Sequence, residues 1–281
     1  MLKTVVYTSD KKTHFFQELR AIFKDIKSSN FLAYQMAKRD IQAQYRQSFL
    51  GFFWAFAPII TNSLVWIFLN SSGTVNVNAD SSVPYILFVV IGTTLWSIFS
   101  ESLLLPITSV NGAKGLLSKI NFPKEALLLS GIYKMLFNLL LKMILIAGIL
   151  IVYGIMPGVQ LLYFPLILCT MIIFSVALGL FVTPIGLIYT DISRLITICV
   201  PFLMYFTPVV YAVPKKGLFK TLFELNPLTF LFNDARNALI GVQLENLPFT
   251  LILGILSFAF MLIGLVIFRK SMPILIEKIG G

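Results

Sequence analysis

Charge is the first thing this sequence lacks. Of its 281 residues only 12% are charged, against 58% hydrophobic, and mean hydropathy is +0.89. Soluble domains carry about twice that share of charge. One soluble core cannot hide so much apolar surface, so lipid must solvate much of it. Histidine is nearly missing: His14 stands alone in a polar N-terminal stretch. The two cysteines, Cys169 and Cys199, lie in apolar runs without zinc-type spacing and are expected as small apolar residues in helix packing. No metal site is expected from so few ligands. The dipeptide Gly-Lys never occurs, so the G-x-x-x-x-G-K-[ST] phosphate loop is missing from this chain. Acids near the apolar runs are scattered (Glu101, Glu125, Asp191), which argues against an enzyme within the membrane. No internal repeat is visible, which weakens a secondary transporter built of inverted repeats. Residues 1–30 are polar and contain acids, so a cleavable signal peptide is not expected.

What the chain has instead is long apolar runs. A spanning helix needs about 20 mostly apolar residues, and six runs qualify: 51–70, 84–108, 127–155, 161–188, 193–213 and 248–268. The expected fold is therefore an all-α polytopic membrane protein of six transmembrane helices. Gly92, Glu101 and Pro106 mark the second run for a kink or break, and the third carries Lys134 and Lys142. Lys and Arg set the orientation. Nine precede Gly51, three follow the second run (Lys114, Lys119, Lys124), Arg194 follows the fourth, and Arg269, Lys270 and Lys278 end the chain. Those sixteen face only four on the other side, all within 214–247, which puts both termini in the cytoplasm. The same bias accounts for the formal charge of +10 without nucleic acid as a partner.

Three regions are more than simple spans. On a helical wheel from Asn30 to Phe52, Phe31, Tyr34, Ile41, Tyr45 and Phe49 share an arc in which Lys38 can snorkel. Gln35, Arg39, Gln42 and Arg46 form a polar arc beside it. This pattern suits a helix lying in the membrane interface, either as a plain anchor or as part of a binding site. The loop 111–125 reads NGAKGLLSKINFPKE, and Leu116 to Ile120 allow a short helix: a capped turn, or a lever for a soluble partner. Residues 214–247 hold two apolar pieces, 218–225 and 228–240, split by Asn226 and Pro227. Each is too short to cross a core of about 30 Å at about 1.5 Å per residue. They read as a re-entrant outer hairpin or as an extracytoplasmic surface loop.

In these same regions the sequence resembles a known family. The residues are Arg39, Asp40, Tyr45, Arg46, Ser48, Leu50, Gly51, Trp54 and Pro58; Asn111, Phe122, Pro123, Lys124 and Glu125; Asp191; Pro208 and Tyr211; and Asn226, Pro227 and Arg236. In that order, over residues 30 to about 268, they resemble the membrane subunit of ABC-2 type exporters of lipid-linked polysaccharides and polyol phosphates, such as the O-antigen, capsule and teichoic-acid permeases. Thr190, where the family often has Arg, and the lack of a tryptophan before Asn226 depart from the pattern.

The resemblance implies a homodimer in a bacterial cytoplasmic membrane, paired with two ATP-binding subunits that hold ATP and Mg, so that this chain itself is no enzyme. It implies a cargo on an undecaprenyl-pyrophosphate-type lipid. It makes residues 1–50 a cytoplasmic segment with an interface helix near Lys38–Arg46, 51–268 the transmembrane domain, and 269–281 a cytoplasmic tail. Asn111, Lys114, Leu116, Leu117 and Lys119 become the coupling helix, and 214–247 the gate. Arg39 and Arg46 are expected to meet the lipid head group, since guanidinium matches phosphate oxygens in a fork, with Tyr45 and Lys38 beside them. Trp54, Trp66, Trp96, Tyr205, Tyr211, Asn226, Pro227 and Arg236 are conduit or gate candidates. Glu101 with Lys134 or Lys142 is either an intramembrane charge pair facing the dimer interior or a set of snorkelling side chains. An ABC-2 permease for a drug or other small substrate, and a transporter or channel not coupled to ATP, stay open as alternatives.

Overall fold

The computed structural model describes residues 14–46, 49–74, 83–117, 120, 122–213 and 217–280. Every element among them is helical. Two helices lead, α1 (Phe15–Ser28) and α2 (Asn30–Arg46). Long helices follow: α3 (Phe53–Ser71), α4 (Tyr85–Gly112), α6 (Glu125–Val152) and α7 (Phe164–Ile188). The single turn α5 (Lys114–Leu117) joins α4 to α6, and a 3-10 turn, Val159–Tyr163, leads into α7. Then come α8 (Thr190–Leu203), α9 (Leu218–Leu225), α10 (Pro227–Ile240) and α11 (Leu247–Gly280).

Among the described residues five helices are long and apolar enough to cross a membrane: α3, α4, α6, α7 with its 3-10 turn, and α11. In hydrocarbon the backbone must bond to itself, which helices achieve. The hydroxyls inside them follow the same rule. Thr93, Thr94, Ser102, Ser175 and Thr183 each donate to the carbonyl one turn back. The core helix is α4, 72% buried over its most apolar window, whereas α3 is only 11% buried and leaves an apolar face outward. Small residues bring the helices close, as lipid-embedded packing requires. A Cβ on Gly179 of α7 would stand 2.2 Å from the Leu103 carbonyl of α4. One on Gly131 of α6 would meet Ser109 Oγ at 2.2 Å.

The bundle has two distinct ends. The basal end gathers α1, α2, α5 and an apolar cluster including Met36, Val110, Leu117, Leu127, Phe268 and Met272. The distal end holds α10 and a cluster including Leu95, Trp96, Phe99, Met171 and Phe232. Gly254 packs on Thr170 and Gly264 on Leu180, so α7 and α11 run parallel. The chain leaving α7 at the basal end must therefore return to the distal end before α11 begins. It does so through α8, a 3-10 turn (Met204–Phe206) and irregular backbone, residues 207–213.

Several expectations change here. The run 193–213 is not one long helix: Pro201 sits near the end of a 14-residue α8, and Pro208 follows the turn. In contrast, α4 runs unbroken through Gly92, Glu101 and Pro106. The apolar run ends at 268 but the helix does not; α11 continues to Gly280, held by buried Phe268, Met272 and Leu275. Residues 269–280 thus continue α11 as helix. Cys169 and Cys199 lie on the exposed apolar surface, not within helix packing.

Candidate functional site

A half-open cleft of about 400 Å³ lies between α2, α4 and α6 toward the basal end. Three sequence patterns build it. On α6, Ser130, Lys134, Asn138 and Lys142 recur every fourth residue and make a polar ladder along an apolar helix. On α4, Glu101, Thr108 and Ser109 share the facing side. On α2, Met36, Asp40 and Gln44 recur at the same spacing, with Arg39 beside them. Ala33, Met36 and Ala37 are the buried side of α2, so its small residues set it close on α6.

Glu101 is the centre of the polar contacts. Lys142 Nζ lies 2.6 Å from Glu101 Oε2, and Asn138 Nδ2 donates to Glu101 Oε1 at 2.5 Å. Lys142 is buried, its side chain 5% exposed, while Glu101 keeps 27%. The pair joins α4 to α6 within one copy of the chain. Lys134 lines the cleft and makes no ion pair among the described residues. At the mouth, Arg39 Nε and Nη2 donate to Asp40 Oδ1 at 3.0 and 2.7 Å.

The other residues of α2 point elsewhere. Tyr45 packs on Phe52 and Phe137, with ring centroids 4.8 and 6.2 Å away. Burial, with the Glu101 charge adding, pushes its phenol above the ordinary value. Lys38 and Arg46 are exposed, as are Phe31, Tyr34 and Phe49.

At the basal end one side chain ties three helices together. Arg269 of α11 reaches Glu18 Oε2 through Nε at 3.2 Å; its Nη1 reaches Asp25 Oδ2 at 2.8 Å and Glu125 Oε1 at 2.5 Å. Glu125 opens α6, where its charge also suits the helix dipole. Next to it Lys124 stacks over the Phe122 ring at 4.8 Å, and burial lowers its pKa. In α5, Leu117 is buried in the basal cluster while Lys114 and Leu116 are partly exposed, as is Asn111 at the end of α4. Lys119 lies outside the described residues.

The distal end solves a different problem: after the 3-10 turn, residues 207–210 are irregular yet buried. Each carbonyl from Tyr205 to Val210 has a donor. Tyr211 Oη serves Tyr205, and Asn226 Nδ2 serves Phe206 at 2.8 Å. The Val209 N–H serves Thr207 at 2.7 Å, and Arg236 Nη2 serves Pro208 and Val209 at 2.9 and 3.1 Å. Tyr85 Oη serves Val210 at 3.2 Å. Non-helical backbone at apolar depth is tolerated only when covered and bonded in this way. Arg236 itself stacks over the Phe88 ring at 3.5 Å. Asn226 also caps α10, its Oδ1 accepting from the Leu228 N–H at 3.0 Å with Pro227 in the first turn. Asn226, Pro227 and Arg236 thus hold the broken segment and start α10. Trp66, Tyr205 and Tyr211 form an aromatic group with centroids 6.1 and 6.4 Å apart. Trp96 is enclosed by Phe99 and Phe232, whereas Trp54 is exposed at the start of α3.

The cleft thus gathers Arg39, Glu101 and Lys134, leaving Arg46, Lys38 and Trp54 outside it. Sequence reading passed over Asn138, Ser130 and Arg269. The fourfold spacing of polar residues in α6 was a usable signal for the first two. Nothing local marked Arg269.

Comparison with known proteins places these features. The family model described as ABC-2 type transporter matches residues 32–240, well over half of the chain. An O-antigen export system permease protein, RfbA, from Klebsiella pneumoniae is 25% identical over 240 residues, covering 84% of this chain and 90% of that protein. A protein of the same description from Myxococcus xanthus is 26% identical over 206 residues, covering 72% and 78%.

Proposed function

Because this chain belongs to the ABC-2 type transporter family, we propose that it is the membrane-spanning subunit of an ATP-driven exporter of a lipid-linked polysaccharide. The observation that carries the cargo class is the similarity, over 84% of the chain, to a permease named for O-antigen export. The basal cleft supports it, with a cation-bearing mouth beside an interface helix and polar groups rising between two spans.

In this reading the basal end faces the bacterial cytoplasm, as the Lys and Arg distribution favours, and both termini lie there. The return path through α8 and residues 204–213 counts as a sixth, interrupted crossing. Helices α9 and α10 dip into the outer leaflet as a re-entrant hairpin; α10, 14 residues long, spans only about 21 Å and is largely buried against the bundle. A homodimer encloses the passage, and two partner subunits bind ATP and Mg. Their motion enters through α5 and Asn111. Leu117 of α5 shares one apolar cluster with α2, α4, α6, α7 and α11, so a push on α5 is felt by all of them. Arg39 at the cleft mouth, with Arg46 on the exposed face of α2, meets the pyrophosphate of the lipid carrier. The aromatic group around Tyr205 offers flat faces that sugars pass without gripping any one hydroxyl pattern.

The test is export in cells and in vesicles. Arg39→Ala with Arg46→Ala is expected to abolish surface glycan while the protein stays in the membrane; intact export would refute the head-group role. The purified chain reconstituted without an ATP-binding partner is expected to move no glycan. ATP-dependent export of a small drug in place of glycan would replace the cargo assignment.

A further inference from the structure

Two groups in the cleft are chemically incomplete. Asn138 Oδ1 is buried and has no hydrogen-bond donor among the described residues. Its orientation is fixed, because the Nδ2 side donates to the Glu101 carboxylate, which would repel an amide oxygen. A buried acceptor without a donor is unfavourable, and one kept on an apolar helix points to a partner from outside. Lys134 is the second group. It lies one turn, about 6 Å, nearer the basal end and faces the same cleft without an ion pair among the described residues, whereas Lys142 is neutralised by Glu101. The cleft wall therefore sets a cation without an ion pair among the described residues one turn from a buried acceptor without a donor there, which a small side-chain rearrangement would present to a ligand. A phosphate answers Lys134 but, being fully ionised, has no proton for Asn138 Oδ1. A hydroxyl answers Asn138.

We propose that this cleft binds the phosphate–sugar junction of the lipid-linked glycan, with Lys134 on the phosphate and Asn138 Oδ1 taking a hydroxyl of the first sugar. The proposal rests on the exporter reading above. Glu101, fixed by Lys142, acts as the positioning residue that orients the Asn138 amide. Its free edge, at the cleft wall, accepts from a second hydroxyl. The volume of about 400 Å³ lies in the lower part of the range of small-ligand sites, about 300–1,000 Å³, and so suits a head group and one sugar and no longer chain. The site would thus read the common start of the polymer while leaving its repeats free.

The full chain is assembled with its ATP-binding subunit in lipid nanodiscs, without nucleotide. Binding is measured with farnesyl diphosphate and with farnesyl diphosphate bearing one glucose. Wild type is expected to bind the glucosylated probe more tightly. Asn138→Leu should weaken the glucosylated probe about tenfold and leave the bare diphosphate unchanged. Lys134→Met should weaken both, and Lys134→Arg should restore both. Should the leucine variant fail to fold, Asn138→Ala carries the same expectation. Equal loss of both probes in the Asn138 variant, or no loss of either, overturns the sugar contact; unchanged binding in Lys134→Met overturns the phosphate contact. Failure of the inference alone is recognised when these variants bind normally while Arg39→Ala still lowers binding and export. Wild type binding neither probe would bring down the head-group reading and the inference together.

Discussion

Replacing Arg269 by methionine removes one guanidinium from three carboxylates. Side-chain exposure is 17% for Arg269, 6% for Glu125, 15% for Glu18 and 26% for Asp25, so none of the pairs is a solvent-screened surface contact. Removing one partner of a buried pair costs about 3–5 kcal/mol, because the other charge stays behind unpaired. Glu125 is nearest to that limit, and Glu18 and Asp25 add like charge beside it. Apart from this contact α1 is held to the bundle chiefly by Leu19 and Ile22 against Val266 and a few partly buried neighbours. A loss of about 3 kcal/mol raises the detached population of α1 by more than a hundredfold. Amide exchange across residues 15–28 in nanodiscs should therefore accelerate by about that factor in Arg269→Met, with little change in α4 or α7. Arg269→Lys should fall between, since one ammonium cannot reach Glu18 and the Asp25–Glu125 side together as Nε and Nη1 do. Adding Glu125→Gln to Arg269→Met should recover most of the protection by removing the most buried orphan charge. Unchanged exchange in Arg269→Met, or no recovery in the double variant, would refute this account of how α1 is anchored.

Other expectations concern the distal end and the α4–α6 pair. A Cβ on Gly92 would lie 1.9 Å from the Val209 carbonyl, so Gly92→Ala should displace the irregular segment and lower the unfolding temperature in detergent; an unchanged temperature would count against the close approach. Asn226→Ala loses the α10 cap and leaves the Phe206 carbonyl bare, for about 2 kcal/mol, readable by thermal shift and by faster amide exchange in 205–210. Asp234 is fully buried, accepts from the Asn246 N–H and Nδ2, and burial raises its pKa. Its folded form holds the proton more tightly than the unfolded one, so its contribution is present in full below the unfolded carboxylate value, about 4, and is lost as pH rises through the raised value. Asp234→Asn should flatten that part of the stability–pH curve; a parallel curve would exclude the residue as its source. Swapping the charges of Glu101 and Lys142 should restore assembly lost in either single reversal, and the same swap with Lys134 should not, because among the described lysines Lys142 alone pairs with Glu101.

Much of the architecture was legible because it is local. Apolar length marked the five helices long enough to cross, and Asn226-Pro227 marked the junction between α9 and α10, since an asparagine cap followed by proline starts a helix whatever surrounds it. The polar ladder of α6 was equally local, yet it gains meaning only when α4 brings Glu101 to face it. The break after α8 was harder to see. The composition of 193–213 suits an uninterrupted span, and the donors that make the break tolerable, Tyr85, Asn226 and Arg236, are distant in sequence.

By itself the sequence determined the lipid solvent and the helical class. These follow from composition and short-range periodicity, which hold in any tertiary arrangement. Only the tertiary structure decided that α7 and α11 run parallel, that Glu101 chooses Lys142 and leaves Lys134 free, and that Arg269 finds Asp25 244 residues away. Such choices depend on which helices meet and at what height. Close packing at glycines fixes that height, and no single segment encodes it.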